Sequence, residues 1–523
     1  MRYAWLLWKK KKYIFAAAAA LTLAIYFQSG ARPAAAGSRL ALYLWGAVSY
    51  CLDMFAAYLP HIITVYVVVI AALVFMEERN PDRTISWLVT LIFFPVVGIA
   101  LYIFLGPDFK RVQMRRMFRP TRSYPAAESI DWGQASEQVI KMSTLAYRNS
   151  SSPICERNIT EVMFDGDETF GAITRELRRA SRFINIEYYI FHDDELGRGI
   201  AGILAERSRA GVTVRMTVDG VGSWKLGRPM IKALHDAGVR VRTFMPVSFP
   251  FLHSRVNYRN HRKIIVIDGE VAFTGGLNIG DEYVGRGPMG YWRDTHVMFR
   301  GEAVRALNKI FLADWKISSG EDLSADGEAF QPPGGKIPDG IPLSPVQIVP
   351  SGGEAWRSIK QMYFRMISGA QMRIWITTPY LIPGESIMEA LRTAALSGVD
   401  VRILIPLRSD HFLSHWASYS NVEDLLRSGV RIWFYKKGFT HSKTLVMDND
   451  VASVGTANLD NRSLVINFEV QAFIYDETVC ERLASQFMKD LADSEECILR
   501  DWERRGVKPK IFESLGRLWS PQV

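Results

Sequence analysis

The 523-residue chain is too long for one hydrophobic core, so two or three domains are expected. Its hydrophobic share of 48% is high for a fully soluble protein and too low for a pure transporter. The net charge of +9 maps to one end: residues 1–122 hold 15 Lys/Arg against 5 Asp/Glu, which leaves 48 against 49 for the remainder. The basicity therefore accompanies an apolar N-terminal region, where it can attract anionic headgroups, and nucleic-acid binding is disfavoured.

Three apolar stretches open the chain. Tyr13–Phe27 follows Lys9–Lys12 and precedes "PAAAG". It is short for a span and reads as a signal-anchor, with a cleaved signal peptide as the alternative. The second, about Phe55–Met76, and the third, about Ile85–Leu105 with Pro95 and Gly98 inside it, are long enough to cross a bilayer. The link Glu77–Thr84 ("EERNPDRT") reads as a tight helical hairpin. The six basic residues within Lys110–Arg122 belong on the cytoplasmic side. Lys9–Lys12 ask for the same side, although three full spans would separate the two clusters. A multi-pass inner-membrane anchor over 1–122, with a catalytic part facing the cytoplasm, is the preferred reading.

From about residue 155 strand-like and helix-like patterns alternate. Arg182–Phe191 and Gly211–Ser223 read as strands, and Met372–Ile382 and Gly398–Pro406 occupy the corresponding places further on. Alternation of this kind argues for an α/β sandwich in each of two halves. Ser318–Pro342, rich in Gly, Pro and acids, separates them. The expected divisions are an anchor over 1–122, a first half over 123–317, a linker over 318–345, a second half over 346–505 and a tail over 506–523. In the tail, Ile511–Val523 is mildly amphipathic and could pack on the body or touch lipid. Cys51, Cys155, Cys480 and Cys497 are scattered, without disulfide or zinc spacing.

The chemistry lies in a pattern written twice. "HRKIIVID" spans His261–Asp268 and "HSKTLVMD" spans His441–Asp448, 180 residues later. "GGLN" and "GTAN" follow, ending at Asn278 and Asn458. A single H-x-K-x4-D is weak evidence, since a surface histidine near a lysine is commonplace. Two copies, each with its asparagine seventeen residues past the histidine, are not coincidence. Side chains two apart in a strand share a face, so His261 points with Lys263 and His441 with Lys443. An imidazole can attack phosphorus or move a proton, and an ammonium can neutralise nonbridging phosphate oxygens. Asn278 and Asn458 can donate to the same oxygens, and Gly276 and Thr456 stand beside them as phosphate-contacting candidates.

Asp268 and Asp448 complete the catalytic motifs. They sit seven residues from their histidines, an odd spacing that turns them to the other face, and so read as architectural. Asp294 in "YWRDTHVMF" and Glu469 in "NFEVQAFIY" are the matching candidates for orienting the imidazoles. The chemistry requires no metal or other cofactor. His192, in "IFHDDELG", reads as a polar loop end rather than a metal ligand. His411 and His415, with Asp410, read as site rim rather than zinc ligands. Trp375, Tyr380, Tyr188 and Tyr189 read as core or pocket wall, and Asp219 and Ser223 as pocket lining at a strand end.

These motifs resemble those of the phospholipase D superfamily and, within it, the bacterial cardiolipin synthases. The resemblance runs over nearly the whole chain, through "NPDRTISWLVTLIFFPVVGIALYIFLG", "EYYIFHDDELG", "GGLNIGDEY", "YWRD", "GTANLDNRS" and "NFE". The extension through about residue 50 departs from the family's usual start, and Gly276 and Thr456 stand where Ser is frequent. The resemblance implies a membrane phosphatidyltransferase that joins two phosphatidylglycerol molecules into cardiolipin through a phosphatidyl-histidine intermediate. By superfamily analogy His261 is the nucleophile and His441 the acid/base, although the internal symmetry leaves the reverse open. A hydrolase using water, another headgroup donor, or a non-catalytic membrane scaffold are the competing functions.

Overall fold

The computed structural model describes residues 136–520 apart from 247–257, 324–336, 338–339, 354 and 356, together with 50, 53–59, 61, 63–69, 71–72, 81–94 and 98. The chain forms two compact units, Met1–Pro107 and Asp108–Val523.

In the N-terminal unit, helix α1 (Pro81–Phe93) starts at a proline, whose fixed φ and missing N–H suit the first helical position. The expected link Glu77–Thr84 is therefore helical from Pro81 onward. Leu91 is buried against Tyr66, Val67, Trp87 and Leu88. Among the described residues no helix is long and apolar enough to cross a membrane. The stretch Tyr13–Phe27 and the basic run Lys110–Arg122 lie outside the described residues.

The second unit begins with α2 (Glu137–Ser150) and β1 (Asn158–Asp165), followed by α3 (Gly166–Arg179), β2 (Phe183–Tyr188), α4 (Glu195–Arg209), β3 (Thr213–Asp219), α5 (Arg228–Asp236) and β4 (Arg240–Phe244). Three further strands, β5 (Lys263–Ile267), β6 (Val271–Gly275) and β7 (Tyr291–Gly301), and helix α6 (Glu302–Ser319) complete the first half. The second half repeats the plan: β8 (Val346–Ser351), α7 (Ser358–Gly369), β9 (Arg373–Thr377), α8 (Glu385–Leu396), β10 (Asp400–Pro406), α9 (Phe412–Tyr419), α10 (Val422–Arg427) and β11 (Arg431–Tyr435). Then come β12 (Gly438–Thr440), β13 (Thr444–Met447), β14 (Val451–Gly455), β15 (Glu469–Ile474), α11 (Glu477–Ala492), β16 (Ser494–Glu496), α12 (Leu499–Glu503) and α13 (Val507–Trp519).

The first sheet runs β1-β7-β6-β5-β2-β3-β4 and the second β8-β15-β14-β13-β9-β10-β11-β16. Apart from β16 at the end of the second, and β12 of the second half joining β7 of the first, they are one design repeated, with three parallel strands fed by helices and an antiparallel meander beside them. Short β-branched runs such as Lys263–Ile267 ("KIIVI") suit strands buried on both faces. Their alternation divides the core: Ile265 and Ile267 face the helices α3 and α4, while Ile264 and Val266 face the second sheet, meeting Val446, Val454 and Val470. The two sheets thus share one apolar layer between them, closed by Phe311 and Trp315 of α6 and Leu483 of α11.

One division differs from expectation. Helix α2, assigned from sequence to the first half, buries Val139, Met142 and Ala146 in the second half's core. Gln347 Nε2 donates to the carbonyls of Ser143 and Ser152, and Asn149 Nδ2 to that of Ser358. A helix's apolar stripe shows that it must pack, and not against which half.

The carboxylates of the motif aspartates are taken up by backbone N–H groups of neighbouring segments. Asp268 and Asp448 adopt positive φ (54° and 51°) where β5 and β13 end. The Asp268 carboxylate accepts from the backbone N–H groups of Ser181, Arg182 and Phe183 at 2.8 Å each. Asp448 does the same for Gln371, Met372 and Arg373 at 2.8–3.0 Å. Each aspartate fixes the start of the strand beside its motif. Asp448→Ala is expected to cost about 2–4 kcal/mol by leaving three donors without their anion. Denaturant unfolding of the purified protein measures this, and a loss below ~0.5 kcal/mol would contradict the role.

Candidate active site

The two histidines arrive at one place because each half borrows the other's strand. β12 runs parallel to β7, aligning Thr440 with Arg293, so the next residue, His441, falls beside Asp294. Its N–H donates to the Arg293 carbonyl at 2.7 Å. By the same pseudo-twofold logic Asn260 bridges to Phe468, the His261 N–H donates to the Phe468 carbonyl at 2.9 Å, and His261 falls beside Glu469. His261 Nδ1 lies 2.9 Å from Glu469 Oε2, and His441 Nδ1 lies 2.8 Å from Asp294 Oδ2. The acids beside the imidazoles are Glu469 and Asp294, each hydrogen-bonded to the histidine of the other half.

Charge balance sets the tautomers. Burial works against ionisation of Asp294, but Lys443 and the hydrogen bond from His441 outweigh it and lower its pKa. Glu469 is lowered likewise, burial being overcome by its pairing with His261, by Lys263 and by the hydrogen bond from Thr456. Burial, with Lys443 adding to it, pushes His441 down to about 4 despite Asp294. His261 is lowered too, again chiefly by burial. Neutral imidazoles beside carboxylates donate through Nδ1 and leave a lone pair on Nε2. Lys443 Nζ also approaches His441 Nδ1 at 2.7 Å, but a nitrogen donating to a carboxylate has no lone pair to offer. The ammonium donates instead to the His441 carbonyl, as Lys263 does to that of His261 at 2.8 Å.

Burial lowers Lys263 to about 7 and Lys443 to about 8, and the Lys443 ammonium depresses Lys263 further. Tyr189 packs edge-on to His261 with ring centroids 4.9 Å apart, and Trp292 lies 5.3 Å from His441. Asn278 spends one amide hydrogen on Tyr283 Oη, and Asn458 one on Asp460.

Two phosphate candidates face elsewhere. The Thr456 hydroxyl donates to Glu469 at 2.6 Å, and its backbone N–H to the Val470 carbonyl. The Gly276 N–H is spent on the Thr295 carbonyl. A Cβ on Gly276 would stand 2.0 Å from Asp294 Oδ1, so the missing side chain makes room for that carboxylate. Asp219 and Ser223 support the wall from behind. Asp219 accepts from the N–H groups of Val221 and Asn260, and Ser223 Oγ donates to the Tyr189 carbonyl. His192 ends a loop 3.9 Å from Asp194, and His415 packs at a tilt on Tyr419 with centroids 4.0 Å apart. Asp410 accepts from Tyr380 Oη at 2.6 Å, and its charge raises His441 and Lys443.

Sequence reasoning missed the buried arginines next to the motif residues. Arg262 pairs with Asp314 and donates to the Glu469 and Ser351 carbonyls across the seam. Arg293 pairs with Asp490 at 2.9 Å and donates to Ser442. Their signal was adjacency: Arg262 alternates with His261 and Lys263, and so had to face the other sheet.

With this geometry in hand, comparison with known proteins is decisive. A family profile described as "Cardiolipin synthase, PLD-like domain" matches residues 173–315 and 363–491. The chain belongs to the phospholipase D-like cardiolipin synthase family. A second profile, "Phospholipase_D-nuclease N-terminal", matches residues 62–107. The cardiolipin synthase of Halalkalibacterium halodurans is 43% identical over 471 residues, covering 88% of this chain and 93% of that one. That of Geobacillus kaustophilus is 41% identical over 467 residues, covering 87% and 92%. The crystal structure of Haemophilus influenzae phosphatidylserine synthase shares the fold, with a TM-score of 0.55 at 15% identity over 73% of this chain and all (100%) of that one.

The lysines predict an alkaline limit. Each is an ammonium below its pKa and an amine above it, so kcat/KM should fall as pH rises through about 7 to 8. The acid limb should lie below the ordinary histidine value, since burial lowers the pKa of His261, whose Nε2 lone pair must be free to attack. A pH–rate profile tests both, and an alkaline limb near an ordinary lysine's value of about 10 would contradict the first. Thr456→Val should raise the Glu469 pKa, shift the acid limb upward and lower kcat roughly tenfold, through loss of one donor to that carboxylate.

Proposed function

We propose that the protein is a membrane phosphatidyltransferase that condenses two phosphatidylglycerol molecules into cardiolipin and glycerol. The observation that carries this reading is the pair of imidazoles, each held through Nδ1 by the other half's carboxylate, between two buried ammonium groups. His261 Nε2 attacks the phosphorus of the first phosphatidylglycerol, and the bond from phosphorus to the glycerol oxygen breaks. The anionic diester offsets the burial of His441, which takes up a proton and delivers it from Nε2 to the departing glycerol. His441 then removes the proton from a hydroxyl of the second phosphatidylglycerol. That oxygen attacks phosphorus, the phosphorus–nitrogen bond breaks, and cardiolipin leaves with His261 regenerated. Lys263, Lys443 and the remaining amide hydrogens of Asn278 and Asn458 stabilise the nonbridging oxygens. Asp294 and Glu469 hold the tautomers through both steps. The names of the relatives support the choice of lipid and product.

The apolar stretches at about 55–76 and 85–105, with the N-terminal profile over 62–107, support a multi-pass membrane anchor. The basic run Lys110–Arg122 supports a catalytic part on the cytoplasmic side of the cell membrane. Cysteine labelling of positions in 123–150 from outside only would reverse that side.

Purified protein given phosphatidylglycerol alone should release cardiolipin and glycerol, read by mass spectrometry. Phosphatidic acid without cardiolipin would make it a hydrolase. His261→Ala and His441→Ala should each lower turnover by roughly a thousandfold or more. With His441→Gln, a phosphatidyl adduct should accumulate on His261, and an adduct mapped to His441 in the wild type would exchange the two roles.

A further inference from the structure

Helix α13 carries an apolar stripe that nothing in the described structure covers. Val507, Ile511, Leu515 and Leu518 recur at helical spacing, and Val507 and Leu518 are 73% and 76% exposed. This is not the face by which the helix docks. On the docking face, Phe512 stacks on Trp416 of α9 with centroids 5.2 Å apart. A Cβ on Gly516 would lie 2.5 Å from the Ala417 backbone nitrogen, so only glycine permits this close approach. The helix is thus fixed to the body by one face and presents another to the surroundings.

The stripe's borders are basic. On a helical projection Lys508 flanks it on one side and Lys510 and Arg517 on the other, all exposed. The helix's one acid, Glu513, is taken by Arg505 at 2.5 Å. An aliphatic stripe between lysines and an arginine fits the boundary of an anionic bilayer, with side chains below the headgroups and ammonium groups among the phosphates. A protein partner would have no need of cationic borders on both sides.

The stripe is also continuous with the site's surroundings. Helix α9, on which α13 lies, begins at Phe412, which is 62% exposed and meets Phe512 at 5.7 Å. Two residues earlier Asp410 receives the Tyr380 hydroxyl and acts on the charges of His441 and Lys443. In the first half the corresponding loop exposes Trp224 by 75%, next to Ser223, whose hydroxyl holds the wall residue Tyr189. Exposed apolar side chains therefore stand one residue from Ser223, which holds Tyr189, and two residues from Asp410.

We propose that α13 is an interfacial helix that lies on the surface of anionic phospholipid bilayers and holds the active site against its lipid substrate. This assignment rests on the lipid-transferring function above and adds a lipid contact separate from the N-terminal anchor. Two measurements on the full chain test it. An environment-sensitive NBD label on Leu515→Cys should shift to the blue and be quenched by doxyl-labelled lipid in vesicles of phosphatidylglycerol and phosphatidylcholine. The same label on Lys232→Cys should not respond. A variant carrying Ile511→Gln, Leu515→Gln and Leu518→Gln should lose roughly tenfold or more of its turnover on bilayer phosphatidylglycerol while keeping its turnover on monomeric dihexanoyl-phosphatidylglycerol. Absence of quenching, equal loss on both substrates, or a label shielded in detergent in proportion to protein concentration (a second copy on the stripe) would each overturn the proposal. Quenching at position 515 in a protein that forms no cardiolipin would uphold the lipid contact and refute the catalytic reading.

Discussion

The structure depends on an exchange: each half supplies the carboxylate that holds the other half's imidazole. Nδ1 of His441 is 2.8 Å from Asp294, and Nδ1 of His261 is 2.9 Å from Glu469. A half by itself would leave a buried carboxylate facing nothing and an imidazole free to turn. Leaving a buried charge unpaired costs several kcal/mol, so chemistry and assembly are selected together. The backbone seam enforces this, since the hydrogen bonds from His261 to Phe468 and from His441 to Arg293 set each ring's position before its side-chain torsions matter.

Around this exchange the protein assembles charges in a buried place and keeps them balanced. Two carboxylates and two ammonium groups face one another beside two neutral imidazoles, and burial works against every charge. The carboxylates stay ionised because the ammonium groups and imidazoles are there; the ammonium groups are weakened chiefly by burial. Arg262 with Asp314 and Arg293 with Asp490 carry the same logic one layer outward, stitching the seam with buried ion pairs whose remaining donors reach carbonyls of both halves.

The strands named from sequence lie where the β-branched runs put them. Arg182–Phe191 contains β2, Gly211–Ser223 contains β3, and Met372–Ile382 and Gly398–Pro406 contain β9 and β10. Parity alone turned Asp268 and Asp448 away from the histidines, and their carboxylates cap the strand beside the motif. Where the reading went astray, the deciding contact was non-local. Thr456 looked like a phosphate contact because it stands two residues before Asn458, yet its hydroxyl reaches Glu469 on the adjacent strand. Helix α2 precedes the first half and packs in the second.

The sequence by itself determined the duplication, the shared face of each His-Lys pair and which acids come to lie beside the imidazoles. Those follow from a period of two and from chemistry that only a few side chains perform. Only the tertiary structure decided that the acids cross the pseudo-twofold, because sequence spacing cannot tell which of two similar strands a histidine will border. It also decided that Gly276 yields its space to Asp294 and that the tail is a helix with one face docked and one bare. Each of these is a matter of which surfaces meet, and packing is settled between distant segments rather than along the chain.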